Sequence, residues 1–105
     1  MTTLDLGHSY ELENFEDKTK PGQFLKFIKK TPDTEKGNNV LCTVQDGTTN
    51  EEVLKVIIDR LHYLQQKFQC RENAIAITHI ETALLWLEKR TADRVKRGVE
   101  GKNVN

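Results

Sequence analysis

The chain has 105 residues, with 16 Lys and Arg against 16 Asp and Glu, 36% hydrophobic and 30% charged residues. That length is one domain, and a zero net charge supplies no global field toward a nucleic acid polymer or a membrane surface. The aliphatic content is that of a folded chain, not a disordered one. The balance is nevertheless local: residues 1–17 hold five acids and no Lys or Arg, whereas residues 89–102 hold six Lys and Arg against two acids.

In chain order, the opening "MTTLDLGHSY" has neither a basic start nor an apolar signal core, and no apolar run is long enough to span a bilayer. Three stretches then read as strands. "YELENF" alternates roughly, "FLKFIKK" is short and runs from apolar to basic, and "NNVLCTVQ" is β-branched at its centre. "KPGQ" separates the first from the second, and the turn-forming "TPDTEKGNN" predicts a hairpin loop between the second and third. The expectation is a small antiparallel sheet of two or three strands, which needs something to pack on.

"DGTTNEEVLKVI" announces a helix. Thr49 and Glu52 fit a capping box, and Asn50, Glu51 and Glu52 suit the positive helix end. The spacing predicts a helix from Asn50 to Phe68, with Leu54, Ile57, Leu61, Leu64 and Phe68 as its seam and Val53 and Ile58 widening it. "QCREN" interrupts the pattern. A second helix runs from Glu72 to Arg97, its seam Ile77, Ile80, Leu84 and Leu87, and Gly98 stops it. So short a connection makes an antiparallel helical hairpin. The fold class read from the sequence is therefore α+β. It is one domain over 1–105, with a β portion (1–47), a helical hairpin (48–98) and a tail (99–105).

The second helix carries one stripe more than a single partner can cover. Ala76, His79, Ala83, Trp86 and Arg90 form a line besides the seam. The line faces either the small sheet or another copy of the chain, and a thin core favours a homo-oligomer.

Catalytic signals are thin. His62, His79, Cys42 and Cys70 have no zinc-type spacing, and the histidines read as satisfied structural residues. The two cysteines read as reduced thiols of a cytoplasmic protein. No phosphate loop, dinucleotide turn or nucleophile motif is present, and Asp59, Glu72, Glu81 and Glu88 form no acid and base pair. The expectation is a protein that is not an enzyme, with no cofactor and no metal.

Binding is better supported. Arg90, Arg94 and Arg97 recur at four and three residues, hence on one helix face. The bland reading is a solvated face that complements the negative helix end. The functional reading is a clamp, because Arg90 and Arg94 lie one turn apart and guanidinium forks match phosphate oxygens. Tyr63 lies off the apolar seam with its ring available for a base, and Asn73 lies in the first turn of the second helix. Both also read as plain surface and capping residues.

Residues 47–102, "GTTNEEVLKVIIDRLHYLQQKFQCRENAIAITHIETALLWLEKRTADRVKRGVEGK", resemble the C-terminal half of the phage anti-Thoeris sponge proteins of type one. Their helical hairpin is shared with the phage anti-CBASS cyclic-nucleotide sponges. "TTNEEV", "RENA", "AIT" and "RGVEGK" carry the likeness; the N-terminal part matches in general layout. The resemblance implies sequestration, without cleavage, of a signalling nucleotide made by bacterial immune enzymes, in the host cytoplasm during infection. The ligand would be a cyclic ADP-ribose isomer with a ribose–ribose link, and in some members a cyclic oligonucleotide. It implies ligand contacts at Tyr63, Asn73, Arg90 and Arg94, with tyrosine standing where the family carries phenylalanine. It also implies dimers that assemble toward hexamers. The competing readings are a cyclic-nucleotide hydrolase and a helical-hairpin module for nucleic acid or protein.

Geometry adds one constraint to those four positions. From Asn73 to Arg90 is 17 residues, about 26 Å along a helix. One compact ligand cannot touch both ends of a hairpin. If it meets all four residues, the arginines come from a neighbouring antiparallel subunit, and a two-fold dimer then has two equivalent pockets.

Overall fold

The computed structural model describes residues 1–33, 35 and 37–98. The element order is β1 (Thr2–Asp5), β2 (Ser9–Leu12), β3 (Gln23–Lys26), β4 (Lys29–Asp33), β5 (Gly37–Gln45), α1 (Asn50–Lys67) and α2 (Arg71–Lys96). The α+β class read from the sequence is what the structure has. The chain divides after Thr49 into two compact units, the strands first and the helices second. The expected tail, 99–105, lies outside the described residues.

The strand unit is richer than its sequence suggests. It contains a three-stranded antiparallel sheet in the order β1-β2-β3 and a separate β4-β5 hairpin. Thr2–Asp5 is a strand the sequence reading missed, since "TTLD" has a single apolar residue and no alternation to detect. "YELENF" is strand only as far as Leu12, the ladder with β3 running from Ser9↔Lys26 to Leu12↔Gln23. "FLKFIKK" is two strands: the chain leaves the first sheet at Phe27, whose N–H donates to the His8 carbonyl at 2.7 Å, and enters the hairpin at Lys29. Ile28 donates to the Thr48 carbonyl (2.9 Å) and Thr48 to that of Lys26 (2.8 Å), which fastens the crossing point. The expected loop is much shorter, because Thr31, Pro32 and Asp33 pair with Cys42, Leu41 and Gly37.

Contacts between the two sheets are few and specific. Lys29 Nζ lies 3.1 Å from Asp5 Oδ2, and Gln45 donates to the hydroxyl of buried Ser9 at 3.4 Å. Tyr10 and Phe27 meet edge to face, centroids 6.1 Å apart. Between β2 and β3, Asn14 donates to the carbonyls of Asp17, Lys20 and Pro21, and Thr19 caps Asp17 through both its hydroxyl and its N–H.

The helices follow the sequence to within a residue or two. α1 starts at Asn50 directly after Thr49, and α2 ends with Arg97 as its cap and Gly98 at a φ of 70°. Leu54, Leu61 and Leu64 on α1 are half-buried, as are Ile80, Leu84 and Leu87 on α2, around Ile77 at 6% exposure. Two expected seam residues are not part of it. Ile57 is exposed, because Val53 and Ile58 fill the neighbouring helix positions, and Phe68 lies beyond the last helical residue with its ring 85% exposed. Of the extra stripe, Ala76 is half-buried, whereas His79, Ala83, Trp86 and Arg90 are exposed; α1 leaves them uncovered. No helix among the described residues is long and apolar enough to cross a membrane.

Candidate functional site

The turn of the hairpin is built by a side-chain clasp. Gln65 of α1 donates to the Cys70 carbonyl (3.1 Å) and accepts from the Cys70 N–H (2.9 Å). Cys70, extended at φ −145°, then caps α2 by accepting the Asn73 N–H on its sulfur at 3.4 Å. The "QCREN" break is thus a connection of three residues, Phe68, Gln69 and Cys70, with α2 starting at Arg71. Asn73 is held half-buried in the first turn of α2. On α1, Tyr63 is 52% exposed, with the Lys67 ammonium 5.5 Å from its ring centroid. One side of the exposed ring thus carries a cation, a pairing that suits an anionic aromatic ligand.

At the open end of the hairpin, α2 carries an open groove of about 310 Å³ lined by Trp86, Lys89, Arg90, Asp93, Arg94 and Arg97. Its side chains come from one helix face at steps of three and four. Lys89 Nζ is 3.2 Å from Asp93 Oδ2 and 5.9 Å from the Trp86 ring centroid. Among the described residues, four cations and one carboxylate line this groove, in a chain with no net charge.

The structure therefore brings Arg90 and Arg94 together, and adds Arg97, Lys89, Asp93 and Trp86 around them. It does not bring Tyr63 and Asn73 to the same groove. Those two flank the turn, while α2 runs unbroken from Arg71 to Lys96 between the ends. Lys89 and Asp93 escaped the sequence reading, although both fall at helical spacing from Trp86, which that spacing had placed on the extra stripe.

A second groove of about 700 Å³ lies between α1 and α2, with Ile58, Leu84 and Leu85 as its apolar floor and His62, Lys55 and Asp59 on its wall. His62 and His79 are both exposed, on different helices. Among the described residues, no three His, Cys, Asp or Glu side chains are grouped to hold a metal ion.

Two antiparallel helices that follow a small antiparallel β unit in the sequence, with a groove lined by arginines at the C-terminal end of the second, define a helical-hairpin protein. The family model for the Acb2/Tad1 hairpin domain matches residues 26–92, more than half of the chain, and the chain belongs to that family. It is similar to the protein named Thoeris anti-defense 1 of Bacillus phage SBSphiJ7, 52% identical over 71 residues. That match covers 67% of this chain and 45% of the relative, so it spans about half of the relative's length.

Proposed function

We propose that this protein is a phage anti-Thoeris sponge, which binds a bacterial immune signalling nucleotide and withholds it from its effector without breaking any bond. The observation that carries this reading is the arginine groove. Arg90 and Arg94 lie one turn apart in a cationic trough beside an exposed indole, on the hairpin shared with a relative named for anti-defence. Guanidinium groups keep their charge at every physiological pH and engage a pyrophosphate bidentately.

The ligand we assign is a cyclic ADP-ribose isomer, with cyclic oligonucleotides as a second class. Arg90 and Arg94 neutralise its pyrophosphate, the Tyr63 ring covers a base, and the Asn73 amide reads a polar edge. Because the two pairs sit at opposite ends of one hairpin, the working unit in this reading is a dimer of single-domain protomers in the host cytoplasm. The exposed His79 and Ala83, with half-buried Ala76 one turn before, support a contact between copies.

The deciding experiment incubates protein with the ribose–ribose-linked cyclic ADP-ribose isomer, removes free ligand, denatures the complex by heat and analyses what is released. Intact nucleotide in stoichiometric amount is expected. Cleaved product beyond one turnover per site would replace the sponge by a hydrolase. Absence of retention, together with steeply salt-dependent binding to DNA or RNA, would assign the groove to a nucleic acid polymer instead.

A further inference from the structure

We propose that Trp86 is the base-stacking platform of the arginine groove, so that this one helix face takes a whole purine nucleoside diphosphate moiety, ring on the indole and phosphates on Arg90 and Arg94. The inference rests on the reading of the groove as a nucleotide site and names a contact that reading does not contain.

Three observations converge on it. Trp86 is 66% exposed, which is expensive for the largest apolar side chain unless its face has a use. It is in the groove wall one turn before Arg90 and two before Arg94, about 6 Å and 12 Å along the axis. That separation fits a base and its own diphosphate. Finally, the indole face already holds a cation: the Lys89 ammonium lies 5.9 Å from its centroid, with Asp93 3.2 Å away as a second anchor. Lys89 can therefore leave the ring to an arriving base and keep its ion pair.

The alternative role for Trp86 is a contact between copies. The native mass of Trp86→Ala distinguishes the two roles, because only a contact between copies would be lost with the indole.

Trp86 is the single tryptophan of the chain, so intrinsic emission reports on it alone. The probes are inorganic pyrophosphate, ADP-ribose and cyclic ADP-ribose, each titrated by calorimetry and by fluorescence. Both nucleotides are expected to quench emission in step with the heat of binding, while pyrophosphate binds with little change in emission. Trp86→Ala should weaken nucleotide binding about ten- to hundredfold, leaving pyrophosphate affinity and native mass unaltered, and Trp86→Phe should restore most of the loss. Nucleotide heat with unchanged emission in the wild type overturns the platform and leaves the sponge reading intact, and this readout needs no variant. Unaltered nucleotide affinity in Trp86→Ala, or loss of the oligomer, overturns it equally. If none of the three probes binds, the nucleotide reading of the groove falls, and this inference with it.

Discussion

Arg90 and Arg94 stand one turn apart in a groove where, among the described residues, one carboxylate, Asp93, lies beside Lys89. Removing one partner of a desolvated charge pair costs about 2–5 kcal/mol, roughly thirty- to several-thousandfold in dissociation constant. Arg90→Ala and Arg94→Ala are therefore expected to lose retention of the cyclic ADP-ribose isomer while their native mass is unchanged; normal calorimetric binding by either would move the site elsewhere. Tyr63 acts through its ring, so Tyr63→Phe should bind almost normally and Tyr63→Ala poorly, and equal affinities in all three proteins would remove the stacking role. The arginine pair was legible in the sequence because helical spacing is a local property. The neighbourhood of Trp86 was not, because spacing puts the residue on an uncovered stripe without saying what covers it.

A second residue-scale effect lies in the β2–β3 loop. The Thr19 hydroxyl and N–H both donate to Asp17, and these bonds hold its carboxyl below its ordinary value of 3.8. Since the folded-state value is depressed, the bonds stabilise the loop fully above that ordinary value, and the contribution is lost as pH falls through the lower folded one. In an NMR titration Asp17 should be among the last carboxylates to protonate on acidification. Thr19→Ala should return it toward the ordinary value, and an unmoved titration would deny the bonds their role.

Among the elements, the helices were readable and the strands largely were not, for one physical reason. Residues such as Leu54, Leu61, Ile77 and Leu84 repeat at the helical period over many turns, so an error at one position, Ile57 for instance, leaves the pattern intact. The strands have four or five residues each apart from β5, too short for alternation to stand above chance, and hydrogen bonds between distant residues mark where β3 ends and β4 begins. Gly47 illustrates such a limit. A Cβ there would lie 2.7 Å from the Lys26 carbonyl oxygen, where β3 leaves its sheet against Thr48. Gly47→Ala is expected to lower stability by about 1–3 kcal/mol, read as a reduced midpoint in urea. An unchanged midpoint would mean that the crossing point yields without cost. The Gln65 clasp on the hairpin turn is equally invisible to periodicity, since glutamine at a helix end resembles any solvated residue.

At the scale of the whole molecule, the decisive quantity is the distance between the turn of the hairpin and its open end. α2 is continuous from Arg71 to Lys96, so Asn73 and Arg90 are separated by about 26 Å of rigid helix, and no bending of one chain brings them to a single small ligand. A pocket made of Tyr63, Asn73, Arg90 and Arg94 must therefore draw on two chains. That arrangement has a signature which a pocket within one chain cannot imitate. Protomers carrying Tyr63→Ala are mixed in equal amounts with protomers carrying Arg90→Ala, under conditions that exchange subunits. Half of the dimers then contain one of each. In every such heterodimer one pocket combines both defects, while the other combines the intact tyrosine of one chain with the intact arginine of the other. Each variant by itself is expected to retain little ligand, yet the mixture should recover about one quarter of wild-type capacity, the share of pockets that two-fold symmetry leaves whole. Zero recovery after verified exchange would place each ligand on a single protomer, with the arginine groove and Trp86 sufficient for it and Tyr63 left without a part.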